Sequence, residues 1–378
     1  TAKASTYSHE HLTLPVQSYG VKCSATNNVF TGPLHHAITY GGEVFLTDTY
    51  QTQTGQQATS SPYLHDNFSD MPKVHGTDLG ALVQDRIGMG AKEWFHITPG
   101  FRFDYFQRDP HNTASYQANS GYTGLPHGAH GSHFSPKVLI EGKVTKDLTL
   151  YALYSQAYRA PSATEEYLNY STAPYYQVVG NPNLKPESSK GWEVGLKYGD
   201  SERGVNVSFY DNYYKNYIDM DGITGCSGYY LCYGYTNLSH VRIYGTEANI
   251  HWAFDKHWHT WGSFSYTDGR DTDMNFHLAS VAPFRGIIGF GYKTDRWGSD
   301  LSATFATHRN DAKYLTSTGT LTSQWKTPGY VLFDLTGWYS PSFYRALRIQ
   351  AGMYNIFNKA YYNAASLPYG ASSSSLSE

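Results

Sequence analysis

The feature that most constrains this chain is a two-residue alternation of apolar and polar side chains, sustained over runs of ten residues or more. Trp192, Val194, Leu196 and Tyr198 alternate with Gly191, Glu193, Gly195 and Lys197. Ile97, Phe101, Phe103 and Tyr105 alternate with Arg102 and Asp104. Tyr244, Thr246, Ala248, Ile250 and Trp252 alternate with Gly245, Glu247, Asn249 and His251, and Leu347, Ile349, Ala351 and Met353 with Arg348, Gln350 and Tyr354. A strand turns successive side chains to opposite faces, so each run has one apolar face and one carrying charges and small residues; helical spacing is nowhere sustained. Strands of soluble sandwiches are usually about five or six residues long, whereas a tilted strand crossing a bilayer needs about 9–11. These runs therefore predict an all-β fold, a transmembrane antiparallel β-barrel.

The connections point the same way. Short ones, at 88–90, 145–147, 199–203, 255–257, 295–297 and 340–342, take turns with long ones at 52–75, 109–132, 159–189, 219–237, 269–280 and 310–327. Tight turns at one end and long loops at the other are the pattern of outer-membrane barrels, and the count predicts about 14 strands. The 35 Tyr, 8 Trp and 18 Phe suit such a wall, because amphipathic rings sit where hydrocarbon meets water. No run of 18 apolar residues is present, so no transmembrane helix is expected. Residues 1–30 lack the basic start and apolar stretch of a signal peptide, which reads as a processed or truncated chain. The tail Ser372–Ser375 reads as a frayed end.

Charge and residue chemistry exclude other classes. A formal net charge of −3 offers no basic footprint for nucleic acid. The carboxylate pair Glu165-Glu166 and the scattered His and Ser residues supply no positioned nucleophile, base and orienter, so an enzyme is not expected. Cys226 and Cys232 flank a Gly/Tyr-rich segment and can form a short-loop disulfide if it faces an oxidising compartment; two free thiols are the alternative. Cys23 is left over and reads as a packing residue.

Several motifs stand in a specific order. Residues 150–198 contain Tyr158-Arg159-Ala160-Pro161, Asn181-Pro182-Asn183-Leu184-Lys185-Pro186-Glu187 and Trp192-Glu193-Val194-Gly195-Leu196. Ser135-Pro136-Lys137-Val138 precedes them, and Asn355-Ile356-Phe357-Asn358-Lys359-Ala360-Tyr361-Tyr362 follows. Together, from about residue 35 to 362, they resemble the C-terminal barrel of TonB-dependent outer-membrane receptors. Local chemistry gives these boxes structural jobs. Arg159 and Pro161 close a strand at the outer rim, where proline forbids further ladder pairing. Asn181-Pro182-Asn183 and Lys185-Pro186 make a stiff return from loop to strand.

The resemblance carries expectations. In the family's register, loop 159–189 follows the thirteenth of about 22 strands, residue 16 starts near the eighth, and Tyr362 ends the twenty-first. Residues 1–378 would then be a partial receptor barrel. The N-terminal plug domain, the segment that contacts TonB, the first third of the barrel and the closing strand would lie outside this chain. Bare sheet edges in lipid are prohibitive, so the chain alone is not expected to be the working unit. The implied setting is the bacterial outer membrane, with lipid and, through the plug, the TonB system as partners.

Within the family, the order of these boxes is most similar to haem and haemoprotein receptors. The implied cargo is haem, a haemoprotein or another ferric complex, carried as ligand and not used as a catalyst. Such receptors carry a haem-ligating His between the two boxes; here none lies between Arg159 and Asn181. Tyr167, Tyr170, Tyr175 and Tyr176 stand there instead. A tyrosinate can ligate haem iron, and the same rings can also serve as an aromatic contact surface. The preceding loop holds His127, His130 and His133, which can converge on one metal or cap a haem iron, or form a plain solvated loop. A ferric-siderophore receptor and a plugless barrel, acting as a passive pore or a structural partner, are the competing readings.

Overall fold

The computed structural model describes residues 7–57, 68–90, 93–119, 121–172, 175–223, 226, 228–278, 281–282, 284–309, 312–315, 321–323, 326–344 and 346–363. The tail at 372–375 lies outside the described residues.

Fourteen strands build a barrel wall: β1 Val16–Thr31, β2 Leu34–Thr49, β3 Lys73–Met89, β4 Phe95–His111, β5 Ala129–Lys143, β6 Leu148–Arg159, β7 Glu187–Gly199, β8 Arg203–Gly222, β9 Leu231–Ala253, β10 Trp258–Asp271, β11 Arg285–Lys293, β12 Trp297–Ala306, β13 Tyr330–Tyr339 and β14 Ile349–Met353. Each pairs antiparallel with the next in chain order. The all-β architecture matches the reading of the alternation, and its count of about 14 covers the long wall strands only: seven shorter strands add to them, among them Tyr7–Thr13 paired with Thr52–Gln57, which lies in the loop placed at 52–75. Two short helices, α1 Ala114–Gln117 and α2 Ala163–Tyr167, lie in the long loops.

Register shows which face is which. Val44, Leu79, Phe101, Phe103, Phe134, Trp192, Val194, Phe209, Ile288, Leu301 and Leu335 are all well exposed, and their strand partners repeat the same side. The opposite face is polar and internally bonded. Arg102 bridges Glu43 and Asp104, Arg108 reaches Asp78 at 2.9 Å, and the Tyr151 hydroxyl donates to Glu193. A greasy outside around a charged inside inverts the plan of a soluble globule, whose exposed apolar patches are small. Rings mark both ends of the greasy band. Trp258 stacks on Phe290 at 5.1 Å near the tight turns, and Tyr266 closes the same strand eight residues later, about 26 Å of extended chain.

The tight turns follow local chemistry. Gly32 takes φ 60 between β1 and β2, and the Asp200 carboxylate accepts from the backbone N–H of Glu202 and Arg203 between β7 and β8. That pair of bonds holds the Asp200 carboxyl below the usual carboxylate range. Asn355, at φ 49, exchanges side-chain bonds with the backbone of Lys359 just after β14.

Three expectations need correction. The loop placed at 109–132 is shorter, because β5 already begins at Ala129. The loop placed at 219–237 is mostly a protruding hairpin, since β8 runs to Gly222 and β9 starts at Leu231. Cys23 is exposed and free, not packed: it lies on β1, which is exposed along its whole length and pairs with one neighbour among the described residues.

Candidate functional site

Three of the long loops meet beyond one end of the strands and knit into a single cap. Loop 50–72, between β2 and β3, brings Gln51, Ser69, Asp70 and Met71. The Asp70 carboxylate accepts from Gln51 Nε2 at 3.2 Å and from Asn119 Nδ2 at 3.0 Å, and its backbone N–H donates to Gln51 Oε1. The Asp70 carbonyl accepts from the Asn169 N–H at 2.9 Å, and Ser69 N–H donates to Ser115 O at 3.1 Å. Three successive long loops are thereby joined. Met71, Val74, Ala163 and Tyr167 form an apolar core beneath them, with Leu168 packed against it. Buried loop backbone is stable only when its polar groups are paired in this way.

The Arg159 motif anchors the cap to the wall. β6 ends at Arg159, and Pro161 is fully buried just beyond. Arg159 Nε donates to Glu187 Oε2 at 2.6 Å, and Nη1 donates to both oxygens of Glu165 at 3.0 Å. Glu165 is in turn the third helical residue of a capping box. Its carboxylate accepts from Ser162 N–H at 2.7 Å while Ser162 Oγ accepts from Glu165 N–H. A five-residue helix has few bonds of its own and relies on such a cap. The second oxygen of Glu187 accepts from Ile218 N–H at 2.6 Å, so one buried carboxylate ties β6, β7 and β8 together.

The Asn181 box has the same character. Asn181 Nδ2 donates to Tyr235 O at 3.0 Å, and Asn181 Oδ1 accepts from Asn183 N–H at 3.0 Å, the Asx turn expected around Pro182. Asn237 completes the clamp. It accepts from Lys185 N–H and donates to the carbonyls of Lys185 and Asn216. Gly180 is required by close approach, since a Cβ there would stand 2.8 Å from the Glu166 carbonyl oxygen.

The proposed ligand residues divide sharply. Tyr167 is buried and donates to the His127 carbonyl at 3.2 Å; burial pushes its phenol well above the usual range, which disfavours the tyrosinate that iron would need. Tyr170 and Tyr176 face each other with ring centroids 5.8 Å apart, on a hairpin of strands Asn169–Thr172 and Tyr176–Val179. That hairpin pairs in parallel with the outer end of β9, from Leu231 to Gly234. Tyr175 and Tyr230 are widely exposed, at 63% and 74%, and meet edge to face at 6.5 Å. Beside Tyr230, Cys226 and Cys232 form a disulfide.

The three histidines are not brought together. His127 is exposed in the loop, with Nε2 3.2 Å from Asn183 Oδ1. His130 and His133 lie on β5, opposite Gln107 and Asp104. A spacing of three on a strand puts side chains on opposite faces, so His130 is exposed on the outer side while His133 points inward and stacks on Tyr158 at 4.9 Å. Among the described residues no group of three or more His, Cys, Asp or Glu side chains is placed to hold a metal ion.

The sequence reading missed the residue with the least ordinary environment. Glu166, on α2 next to the Arg159-bound Glu165, has no exposed surface, and neither carboxylate oxygen has a hydrogen-bond partner. Burial pushes its carboxyl up to about 8, against a smaller opposing pull from Arg108. No local signal distinguishes it from a solvated acidic residue at a helix start.

What this end of the barrel offers, then, is a hydrogen-bonded cap presenting exposed tyrosines beside a disulfide. Large, stiff aromatic side chains of this kind bury much area at small entropic cost, which suits contact with a protein surface or a flat aromatic ligand.

Residues 3–356 match the family model described as "TonB dependent receptor-like, beta-barrel". The hemoglobin-haptoglobin utilization protein B of Neisseria meningitidis is 27% identical over 328 residues, covering 76% of this chain and 39% of that protein. The heme/hemopexin utilization protein C of Haemophilus influenzae is 23% identical over 368 residues, covering 89% and 47%. Among solved structures, the copper transporter OprC superposes with a TM-score of 0.69 at 18% identity, over 94% of this chain and 52% of its own. The Serratia marcescens hemophore receptor HasR, in complex with its hemophore HasA and heme, gives 0.69 at 17%, over 93% and 57%. At such identities the likeness to solved structures is one of fold, and the chain spans less than half the length of these two sequence relatives.

Proposed function

This chain belongs to the TonB-dependent receptor β-barrel family, and from that premise we propose that it forms the wall and outer mouth of a bacterial outer-membrane receptor for haem or a haemoprotein. The observation that carries the cargo reading is the span of the relatives. Proteins named for hemoglobin-haptoglobin and for heme/hemopexin match 76% and 89% of this chain. Geometry supports it, because the most exposed rings of the cap, Tyr175 and Tyr230, stand together on the Tyr-rich hairpin and the disulfide loop beside it.

In this reading the barrel supplies contact and selection. The clamps around Arg159 and Asn181 hold the platform rigid, so that little ordering entropy is lost when a ligand is captured. Energy coupling and gating belong to a plug that engages the TonB system and lies outside this chain. Axial ligation of haem iron is not assigned to Tyr167 or to His133: the first is a core residue, and the second faces the interior under Tyr158.

Titration of the full-length receptor with haem and with haemoglobin tests the reading. The expected result is retention of haemoglobin and a shifted Soret band with haem. Tyr175→Ala combined with Tyr230→Ala should weaken haemoglobin binding by about tenfold to a hundredfold, the scale of losing aromatic anchors. An unchanged Soret band with no haemoglobin retention would remove haem as cargo. Binding of a ferric siderophore in its place would establish the alternative, and rapid swelling of liposomes carrying the receptor would favour a passive pore.

A further inference from the structure

The inward face of β3 to β6 holds polar atoms that no other described residue satisfies. Alternation on β5 puts His133, Ser135 and Lys137 on this face, opposite Asp104, Arg102 and Gly100 of β4. Ser135 is buried, and its hydroxyl has no hydrogen-bond partner among the described residues. The Tyr158 hydroxyl on β6 and Nε2 of His133, whose ring stacks on Tyr158, are likewise buried and unpartnered. Gln84, Arg102, Ser135, Lys137, Ser155 and Tyr158 line one cleft of about 390 Å³. Gly100 makes room in it. A Cβ there would stand 2.8 Å from Lys137 Cε and 3.1 Å from Gln84 Cβ, so the lysine stem lies across a bare position of β4.

Charge decides what the cleft accepts. The carboxylates on this face are taken. Both oxygens of Asp104 accept from Arg102 Nε, at 2.8 and 3.0 Å. Glu43 is bound by Arg102 and, at 3.3 Å, by Lys22. Asp78 holds Arg108 at 2.9 Å, and Glu141 lies 3.6 Å from Arg86. Lys137 is exposed in the cleft and pairs with no carboxylate among the described residues. The cleft therefore combines one unpaired ammonium with two buried hydroxyls that lack partners. Buried polar atoms left unpaired are costly, so a place where several gather is one where a partner is gained.

We propose that this cleft binds a carboxylate of the cargo, with Lys137 supplying the charge and Ser135 and Tyr158 donating hydrogen bonds. A carboxylate is a monoanion that only accepts, and its two oxygens have lone pairs enough for all three donors. Position fits as well. Ser155, level with Lys137, is four residues from the end of β6 at Arg159, about 13 Å of extended chain inward from the cap. A ligand entering from the long-loop end meets this wall after passing the tyrosines. Haem carries two carboxylates on one edge, so the inference rests on the cargo reading above and names the part of the cargo that this wall holds.

The test titrates the full-length receptor in detergent with haem and with haem dimethyl ester, whose carboxylates are blocked. The wild type should bind haem about tenfold to a hundredfold more tightly than the ester, the weight of one charge-assisted hydrogen bond. Lys137→Gln should lose most of that preference by weakening haem alone. Tyr158→Phe and Ser135→Ala should each reduce it by roughly twofold to tenfold, the weight of one neutral hydrogen bond. Unheated gel mobility reports whether each barrel is intact, and if Lys137→Gln does not fold, the two milder variants decide. Equal binding of haem and ester by the wild type would overturn the subsite while the cargo reading stands, and the cleft would then hold water alone. A preference that survives in the variants, or an equal loss of both ligands, would overturn it too. A wild type that binds neither porphyrin would remove the subsite and the cargo reading together.

Discussion

Replacing Glu187 with alanine should release the outer cap while leaving the wall folded. The buried Glu187 carboxylate satisfies two donors at once: Arg159 Nε at 2.6 Å and Ile218 N–H at 2.6 Å. Removing it leaves the Ile218 N–H buried without an acceptor and frees Arg159 from its anchor to β7. Losing one charge-assisted bond and orphaning one backbone donor together cost about 3 kcal/mol, or roughly a hundredfold in the balance between attached and detached loop. Arg159 itself is half exposed, so its share is small and most of the loss falls on the orphaned donor. The loss should be local, because the ladders from Ser188 to Gly199 on either side are backbone bonds that do not involve this side chain. Limited proteolysis should cut the Glu187→Ala protein within 160–186 far faster than the wild type, with unheated gel mobility preserved. On the haemoprotein reading proposed above, haemoglobin affinity should fall by a comparable factor. Unchanged cleavage would mean that the Asn181 and Asn237 clamp holds the cap alone.

The wall could be read from the chain because a strand with one apolar and one polar face must alternate its side chains. The alternation around Trp192, Val194 and Tyr198 maps onto the exposed face of β7, and Glu193 faces inward to Tyr151. Boundaries failed where the alternation fades into small polar residues. His127-Gly128-Ala129-His130-Gly131-Ser132-His133 carries no apolar rhythm, yet from Ala129 onward it pairs with β4. That pairing, set by the neighbouring strand, is what separates His130 from His133. The motif boxes disclosed their turn chemistry, since Pro161 and Asn181-Pro182-Asn183 act through local backbone geometry. They did not disclose their partners. Asn237 grips Lys185 across a separation of 52 residues, and Asp70 joins three loops, through side-chain-to-backbone bonds that leave no periodic trace. The tyrosines show the same limit. Tyr167 and Tyr175 read alike in the chain, but Met71 and Val74 arrive from a distant loop to bury the first, while the second stays 63% exposed beside Tyr230.

Glu166 should make the closure of this cap depend on pH, with a sign that can be worked out beforehand. Its carboxyl is wholly buried and unpartnered, and burial raises it from the ordinary 4.5 to about 8. Below pH 4.5 the group is neutral whether the cap is closed or open, and closure is unopposed. Between 4.5 and about 8 the open form ionises freely while the closed form holds its proton, so closure weakens steadily as pH rises. Above about 8 the closed form must carry a buried anion and the penalty levels off. The gap of roughly 3.5 between these values, at about 1.36 kcal/mol each and with the pull of Arg108 already included, sets a ceiling of roughly 5 kcal/mol. Hydrogen exchange of 162–184 should therefore speed up by one to two orders of magnitude or more between about pH 5 and 9, after correction for intrinsic exchange. Glu166→Gln keeps the volume and removes the ionisation, so its protection should be flat over that range and should exceed the wild type's at pH 9. Glu166→Leu separates charge from polarity: it too should be flat, and at least as protected as the glutamine variant, because it leaves no polar group unpaired against Met71 and Tyr167. A wild-type loop whose corrected exchange does not change with pH would show that water or a cation already satisfies this carboxylate in solution, and the pH-dependent closure would be withdrawn.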